Sequence, residues 1–289
     1  METVFLNRQF ALKSQAAISI LDRGFLFGDA VYEVIPYFTG TPLGLTEHLH
    51  RLESNLNALG IPNPYSVADW TGLLTELQHH NRLRNATYYT YIQVTRGASP
   101  VRQHECTAPV NPTVLAFCQT FEPIDHSNGH AAILRADNRH GLCQIKTTNL
   151  LANTLHKNSA SQVGALEAIL FKDHHITEGT SSNVFMVKKN QLLTPPLTDN
   201  ILPGITRQYV IKTAKMLDFS YHERPITVNE FIDADEIWVS SSTKLISPIT
   251  QLDTKPVGPG HVGPVWKLFN NAMRRHIPTS TQTKENIYE

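Results

Sequence analysis

Cysteine is scarce in this chain. Three cysteines occur among 289 residues, at positions 106, 118 and 143, and no two of them form a Cys-x-x-Cys pair. An odd number of widely spaced cysteines argues against a disulfide framework and against a structural zinc site. The sequence therefore predicts a protein of a reducing compartment, with no metal bound through these residues.

An excess of charge of either sign is also absent, because 25 lysines and arginines balance 25 aspartates and glutamates. A protein that binds nucleic acid through its phosphates normally carries a basic field. We therefore expect no nucleic-acid partner and favour a small-molecule partner.

Long hydrophobic runs are missing as well. No apolar stretch approaches the roughly 20 residues that a membrane-spanning helix requires. Residues 1–8 lack the positively charged segment and apolar core of a secretory signal. We expect a soluble cytoplasmic protein without a membrane partner.

The length and the 41% hydrophobic content allow one large or two medium domains. The linker-like stretch 123–129 separates two halves that differ in their pattern of strands and helices. We predict an N-terminal α+β domain, 1–122, and a C-terminal domain, 123–289, so that the fold class is mixed α/β (α+β). Expected elements are helices from Thr46 and near Val67, strands at 87–95, 131–135, 165–172, 184–188 and 237–240, helices at 148–163 and 205–217, and hairpin turns at 173–174 and 189–190.

One lysine and one glutamate stand in unusual neighbourhoods. Lys146 follows the apolar run 142–145 and precedes a helical pattern whose apolar face includes Leu151 and Leu155, with Thr147 or Thr148 as the N-cap. A lysine at such a junction can be partly desolvated, as a Schiff-base amine requires.

Glu178 begins a turn rich in hydroxyl and amide groups, residues 178–183, before a strand-like run. Taken alone, either Lys146 or Glu178 is more simply interpreted as a surface charge. Together they supply an amine for Schiff-base chemistry and a carboxylate that can keep a pyridine nitrogen protonated. The pair predicts a pyridoxal phosphate site.

Three further segments are candidates for binding anions. Ile205 and Thr206 open a helix after a Pro-Gly pair, where backbone amides favour phosphate, although an ordinary helix start is the simpler interpretation. A hydroxyl cluster at 240–243 supplies further donors or forms an ordinary polar loop. The loop 96–104 carries Arg102 and His104, which suit a carboxylate unless they are merely solvated.

Together these motifs resemble the class IV, fold-type IV pyridoxal phosphate-dependent aminotransferases, and within them the D-amino acid (D-alanine) aminotransferases. The likeness covers nearly the whole chain. It depends on five ordered motifs at 22–34, 47–52, 145–151, 177–185 and 203–207.

The resemblance implies a smaller N-terminal α+β domain and a larger C-terminal domain with a β-barrel-like core. It makes Lys146 the catalytic Schiff-base residue and Glu178 the partner of the pyridine nitrogen. The residues that it assigns to the rest of pyridoxal 5′-phosphate are Arg51, Ile205, Thr206 and Ser242 around the phosphate and Leu202 beside the ring. Arg51 would otherwise be interpreted as a solvated arginine, since it lies off the apolar stripe of its helix.

For the substrates, the resemblance implies a D-amino acid, D-alanine first, and a 2-oxo acid such as 2-oxoglutarate. Their carboxylates would meet Tyr32, Arg102 and His104, with Tyr91 nearby. In the family the Arg-x-His loop comes from the other subunit of a homodimer. This chain has an extra residue, Val101, between the proline and the arginine of that loop, which is expected to affect substrate range more than cofactor binding.

Alternatives within the same fold are a branched-chain L-amino acid aminotransferase and a 4-amino-4-deoxychorismate lyase. A third alternative is a non-catalytic homologue that uses the pocket to bind a metabolite. Steady-state assay with L-leucine or aminodeoxychorismate would identify the first two, and a non-catalytic homologue would be expected to purify without the absorbance of a bound cofactor. In the enzyme, replacing Lys146 by alanine is expected to abolish turnover and to leave the fold intact.

Overall fold

The structure, a computed structural model, describes residues 2–106 and 110–277. Its contacts divide the chain into two compact units. The first includes Met1–Glu122 and Ile145–Asn149, and the second includes Pro123–Gln144 and Leu150–His276. The limits 1–122 and 123–289 stay a prediction about domains, but the segment carrying Lys146 packs with the first unit.

The first unit is built on a six-stranded antiparallel sheet of order β2-β1-β6-β5-β3-β4. Its strands are β1 (Thr3–Leu6), β2 (Gln9–Leu12), β3 (Ala30–Phe38), β4 (Thr41–Pro42), β5 (Tyr88–Thr95) and β6 (Thr113–Thr120), and its helices are α1 (Arg23–Phe27), α2 (Leu45–Ala58) and α3 (Val67–His80), with a short 3-10 turn at Lys13–Gln15. Because side chains alternate along a strand, Val31 and Ile35 of β3 enter the core, where they join Leu49, Leu52 and Leu56 of α2. The predicted helix from Thr46 therefore buries its expected stripe.

The second unit is built on a nine-stranded mixed sheet of order β12-β11-β10-β13-β14-β7-β8-β9, with β15 paired to β14. Its strands are β7 (His130–Ala136), β8 (Glu167–Lys172), β9 (His175–Gly179), β10 (Asn183–Lys188), β11 (Gln191–Thr194), β12 (Tyr221–Glu223), β13 (Glu236–Ser241), β14 (Leu245–Leu252) and β15 (Lys255–Pro256), and its helices are α4 (Leu151–Gln162), α5 (Ile205–Met216), α6 (Val228–Ile232) and α7 (Pro264–Met273), followed by a 3-10 turn at Arg274–His276.

Both predicted hairpins of this unit are present. Asp173 and His174 join β8 to β9, and Lys189 and Asn190 join β10 to β11. All four residues have left-handed φ angles, between 48° and 63°. A two-residue loop with both residues left-handed matches the twist of the strands, which explains these turns.

The prediction for the start of α4 is wrong. The helix begins at Leu151, and its N-cap is Leu150 without a side-chain cap, rather than Thr147 or Thr148. Its expected apolar face is exposed, since Leu151 and Leu155 are 74% and 56% accessible. The backbone of Thr147 instead pairs with Val31 of β3, so the chain follows the sheet at this point and the helix starts later.

Among the described residues, no helix combines the length and apolar character needed to cross a membrane.

Candidate active site

Lys146 lies in the first unit beside the start of β3. Its carbonyl accepts a hydrogen bond from the Tyr32 amide at 3.0 Å, and the Thr148 amide donates to Ala30 at 3.2 Å. The side-chain Nζ lies 4.0 Å from the centroid of the Tyr32 ring, a cation–π contact. The amine is therefore held against an aromatic face while its backbone is tied to the sheet.

Gly28 allows the motif at 22–34 to approach the motif at 145–151 closely. It has a φ of 66°, and a Cβ at this position would lie 2.1 Å from Oδ1 of Asn149. The Gly28 carbonyl accepts hydrogen bonds from the Thr148 hydroxyl and from Nδ2 of the Asn149 side chain, each at 3.3 Å. Only a residue without a side chain allows this approach, which anchors the segment that carries Lys146.

Tyr32 continues into a row of aromatic rings across the sheet. It stacks on Tyr91 at 5.7 Å between ring centroids, and Tyr91 stacks on Phe117 at 5.0 Å. The Tyr91 hydroxyl donates to Gln93 at 2.7 Å. The two tyrosines predicted to meet the substrate are thus neighbours, and Phe117 extends their face without having been predicted.

Arg51 is not a solvated arginine. Its Nε and Nη2 donate to the two oxygens of Glu33 at 2.7 and 2.8 Å, and Nδ1 of His48 contacts the same carboxylate at 2.7 Å. Glu33 is fully buried. Burial would raise its pKa, but Arg51 and His48 lower it well below the usual range. Burial lowers the pKa of His48, so its neutral ring donates from Nδ1.

We expect Glu33→Gln to lower the free energy of unfolding by about 3 kcal/mol, because it leaves a buried guanidinium without its counter-charge. The folded-state pKa of Glu33 lies below its ordinary value of 4.5. Its stabilisation is thus fully present above pH 4.5 and is lost as the pH falls through the folded pKa. Urea unfolding at pH 7, 5 and 3 measures this, with Glu53→Gln, at an exposed position of α2, as the control. A loss at pH 7 no larger than that of the control would contradict the prediction.

The predicted carboxylate-binding residues share one aromatic ring. The guanidinium carbon of Arg102 lies 5.1 Å from the centroid of the Phe27 ring, and the His104 ring meets Phe27 edge-on at 5.4 Å. The extra residue Val101 is 56% exposed. The loop therefore gathers Arg102 and His104 and directs the inserted side chain to solvent.

Glu178 lies in the second unit at the end of β9 and is buried. One oxygen accepts from Nη1 of Arg139 at 2.5 Å, and the other accepts from the Leu202 amide at 3.0 Å and the Asn183 side chain at 3.2 Å. Burial raises the pKa of Glu178 to about 7, although Arg139 and the Leu202 amide act in the opposite direction. The position of the carboxyl group is thus defined by three donors.

Arg139 and Asn183 were not predicted. Arg139 stands 39 residues before Glu178 and also pairs with Asp137 at 2.7 Å. The sequence has an Asp-x-Arg pattern directly after β7. This pattern could have indicated the ion pair of Arg139 with Asp137, but it does not indicate the ion pair with Glu178.

The predicted phosphate-binding residues of the second unit lie at the start of α5 and in the β13–β14 turn. Ile205 and Thr206 are buried in the first turn of α5, whose N-cap, Gly204, makes no side-chain cap. Ser242 is partly buried in the turn. Nearby in sequence, the Ser240 hydroxyl is buried and has no hydrogen-bond partner among the described residues.

Comparison with known proteins agrees with these motifs. Residues 30–252 match the amino-transferase class IV family. The chain is 38% identical over 283 residues to the D-alanine aminotransferase of Bacillus licheniformis, covering 96% of this chain and 98% of the relative. It is 36% identical over 280 residues to the D-alanine aminotransferase of Staphylococcus aureus strain MSSA476, with the same coverage.

The fold is similar to that of solved aminotransferases. The branched-chain amino acid aminotransferase of Escherichia coli matches with a TM-score of 0.87 at 24% identity, over 99% of this chain and 97% of that chain. A hypothetical aminotransferase from Mycobacterium tuberculosis in its PLP-bound form matches with a TM-score of 0.81 at 20% identity, over 95% and 98%. At these identities the likeness concerns the fold, and it confirms the expected fold-type IV architecture.

Proposed function

Since the chain belongs to the class IV aminotransferases, enzymes that depend on pyridoxal phosphate, we propose that it transfers the amino group of a D-amino acid, D-alanine first, to a 2-oxo acid such as 2-oxoglutarate. The observation that carries the D-amino acid assignment is that Arg102 and His104, which belong to one loop, both contact the Phe27 ring. The 38% identity to a D-alanine aminotransferase supports it, whereas the likeness to branched-chain enzymes is one of fold.

Each unit, taken by itself, offers groups of the kind that this cofactor needs. Glu178 is a buried carboxyl group whose pKa, about 7, suits it to share a proton with a pyridine nitrogen. The first turn of α5 supplies backbone amides for a phosphate, and the orphaned Ser240 hydroxyl marks a polar environment at the end of β13. We propose Ile205, Thr206, Ser242 and Arg51 as phosphate ligands and Leu202 as a neighbour of the ring.

When bound, pyridoxal phosphate supplies a carbonyl that condenses with amines and a ring that accepts electrons from the substrate Cα. Lys146 is proposed to hold the cofactor in the resting enzyme. With the cofactor and a substrate bound, the Nζ of Lys146 would be the group that accepts the proton from the substrate Cα and later gives it up again. The Tyr32 ring, 4.0 Å away, holds the Nζ of Lys146 against its face.

Glu178 is proposed to keep the pyridine nitrogen protonated. Arg139, the Leu202 amide and Asn183 fix the carboxyl group, so it does not rotate away when the ring charge changes. Arg51 is oriented by Glu33 in the same manner.

Arg102, His104 and Tyr32 are proposed to bind the substrate carboxylate, with Tyr91 beside the side chain. A guanidinium binds a carboxylate through two parallel hydrogen bonds, which fixes its orientation. Fixing the carboxylate determines which face of Cα meets Lys146, and hence the stereochemistry. We propose that the protein is a homodimer in which each Arg102–His104 loop serves the partner's site.

The test is the absorbance of the cofactor-loaded protein after mixing, in a single turnover, with D-alanine, L-alanine and L-leucine separately. We expect the resting cofactor band to disappear with D-alanine only. Disappearance with L-leucine only would move the protein to the branched-chain group. Steady-state assay with aminodeoxychorismate tests the lyase alternative, and a protein that binds no cofactor would be a non-catalytic homologue.

A further inference from the structure

The loop that carries Arg102 and His104 is attached to the body of the first unit through Arg23. Its Nη1 donates to the Gln103 carbonyl at 2.8 Å and its Nη2 donates to the His104 carbonyl at 2.7 Å. The guanidinium carbon also lies 5.0 Å from the centroid of the Phe27 ring. Arg23 therefore contacts both the backbone of the loop and the Phe27 ring, which the Arg102 and His104 side chains also contact.

Arg23 is itself held in place. It is 6% exposed, and its Nε donates to Asp29 at 2.9 Å. Asp29 also pairs with Arg96 at 2.7 Å. Burial would raise the pKa of Asp29, but its hydrogen bonds with Arg96 and Arg23 lower it overall, so the carboxylate remains charged.

The local sequence explains why Arg23 points to the loop. The Asp22 side chain caps α1 by accepting from the Gly24 amide at 2.8 Å and from the Thr95 hydroxyl at 3.0 Å. A Cβ on Gly24 would lie 2.4 Å from the Thr95 side chain. Helix α1 therefore sits directly on the end of β5, which fixes the direction in which Arg23 leaves it.

We infer that Arg23 is a positioning residue that holds the Arg102–His104 loop in the geometry required to bind the substrate carboxylate. The inference rests on the proposed function. The loop carbonyls and Asp29 occupy all three nitrogens of the guanidinium, and a lysine ammonium, a point charge without the planar fork, cannot satisfy the same three acceptors in this arrangement. The loop would then lose its attachment while the residues that bind the cofactor keep theirs.

The test compares Arg23→Lys with Arg96→Lys in the cofactor-loaded protein. Arg96 is the matched control, since it binds the same Asp29 but directs its other hydrogen bonds to the carbonyls of Leu59 and Gly60. We expect Arg23→Lys to raise the KM for D-alanine and for 2-oxoglutarate by about tenfold or more, with a smaller effect on kcat. Cofactor affinity should not change, and Arg96→Lys should stay within about twofold of the wild type.

A second readout needs no activity. Limited trypsin cleavage after Arg102, followed by mass spectrometry, should be about tenfold faster in Arg23→Lys than in Arg96→Lys, because a released loop opens more often. Cleavage and KM values equal to those of the control would overturn the inference. If the wild type did not react with D-amino acids but cleavage still accelerated, the proposed function would fail and the attachment of the loop by Arg23 would stand. Faster cleavage in an active enzyme with unchanged KM would overturn the role in substrate binding.

Discussion

Lys146→Ala is expected to lower the rate of transamination by at least about a thousandfold, since loss of a general acid–base group alone costs about 10² to 10⁴ and this lysine is also proposed to hold the cofactor. The fold should persist. The backbone carbonyl of this residue accepts the hydrogen bond from Tyr32, which alanine retains, and the substitution removes only the contact of the side chain with the Tyr32 ring. Steady-state turnover with D-alanine and 2-oxoglutarate measures the loss, and circular dichroism measures the fold.

Lys267→Ala is a suitable control because this lysine is exposed on α7. It should keep wild-type activity. Adding a small amine such as methylamine should restore part of the turnover of Lys146→Ala if the missing group is an amine that moves a proton. Near-normal turnover without added amine would disprove the role of Lys146.

Hybrid dimers are expected to reveal whether the Arg102–His104 loop acts in the partner's site. Arg102→Ala alone should lose about a hundredfold in kcat/KM, because the substrate carboxylate loses its bidentate partner. Consider a hybrid dimer in which one subunit carries Lys146→Ala and the other carries Arg102→Ala. If the loop acts in the partner's site, one of the two sites combines an intact lysine with the intact loop of the other subunit. We expect that hybrid to have about half the wild-type rate, because one of its two symmetric sites is complete.

The reciprocal hybrid provides a second test with the opposite expected outcome. It pairs a wild-type subunit with a subunit carrying both substitutions, and it should be nearly inactive if the loop acts in the partner's site. A loop that acts within its own subunit predicts the opposite result for both hybrids. Two affinity tags, one on each subunit, isolate the hybrids, and failure to recover any species carrying both tags would contradict the homodimer.

Several elements could be predicted because their signals are local. The apolar stripe of α2 repeats at helical spacing, and Gly60, with a φ of 60°, follows its end. The turns at 173–174 and 189–190 each contain an aspartate or an asparagine, Asp173 and Asn190, which are residue types that tolerate a left-handed backbone. The ordered motifs likewise indicated the family, which the comparisons confirm. The roles assigned to Lys146, Glu178 and Arg51 stay predictions.

The start of α4 shows where local signals fail. Its hydroxyl residues and leucines have the composition of a capped amphipathic helix, yet Thr147 pairs beside β3 and Leu151 is exposed. A competing contact from a strand more than 100 residues earlier overrides the local preference. Sequence periodicity carries no information about such a competitor.

The amino-acid order was thus sufficient for the family and for most element types, since these depend on residue type and on spacing of a few positions; it also supplied the candidate residues, whose roles stay predictions. The partners that orient those residues come from folding. Glu33 against Arg51, Arg139 against Glu178 and Arg23 against the 102–104 loop are separated by 18, 39 and about 80 residues. Each is a partly buried ionic or polar contact whose strength depends on distance, direction and exclusion of water, and the chain acquires these only when its sheets and helices have packed.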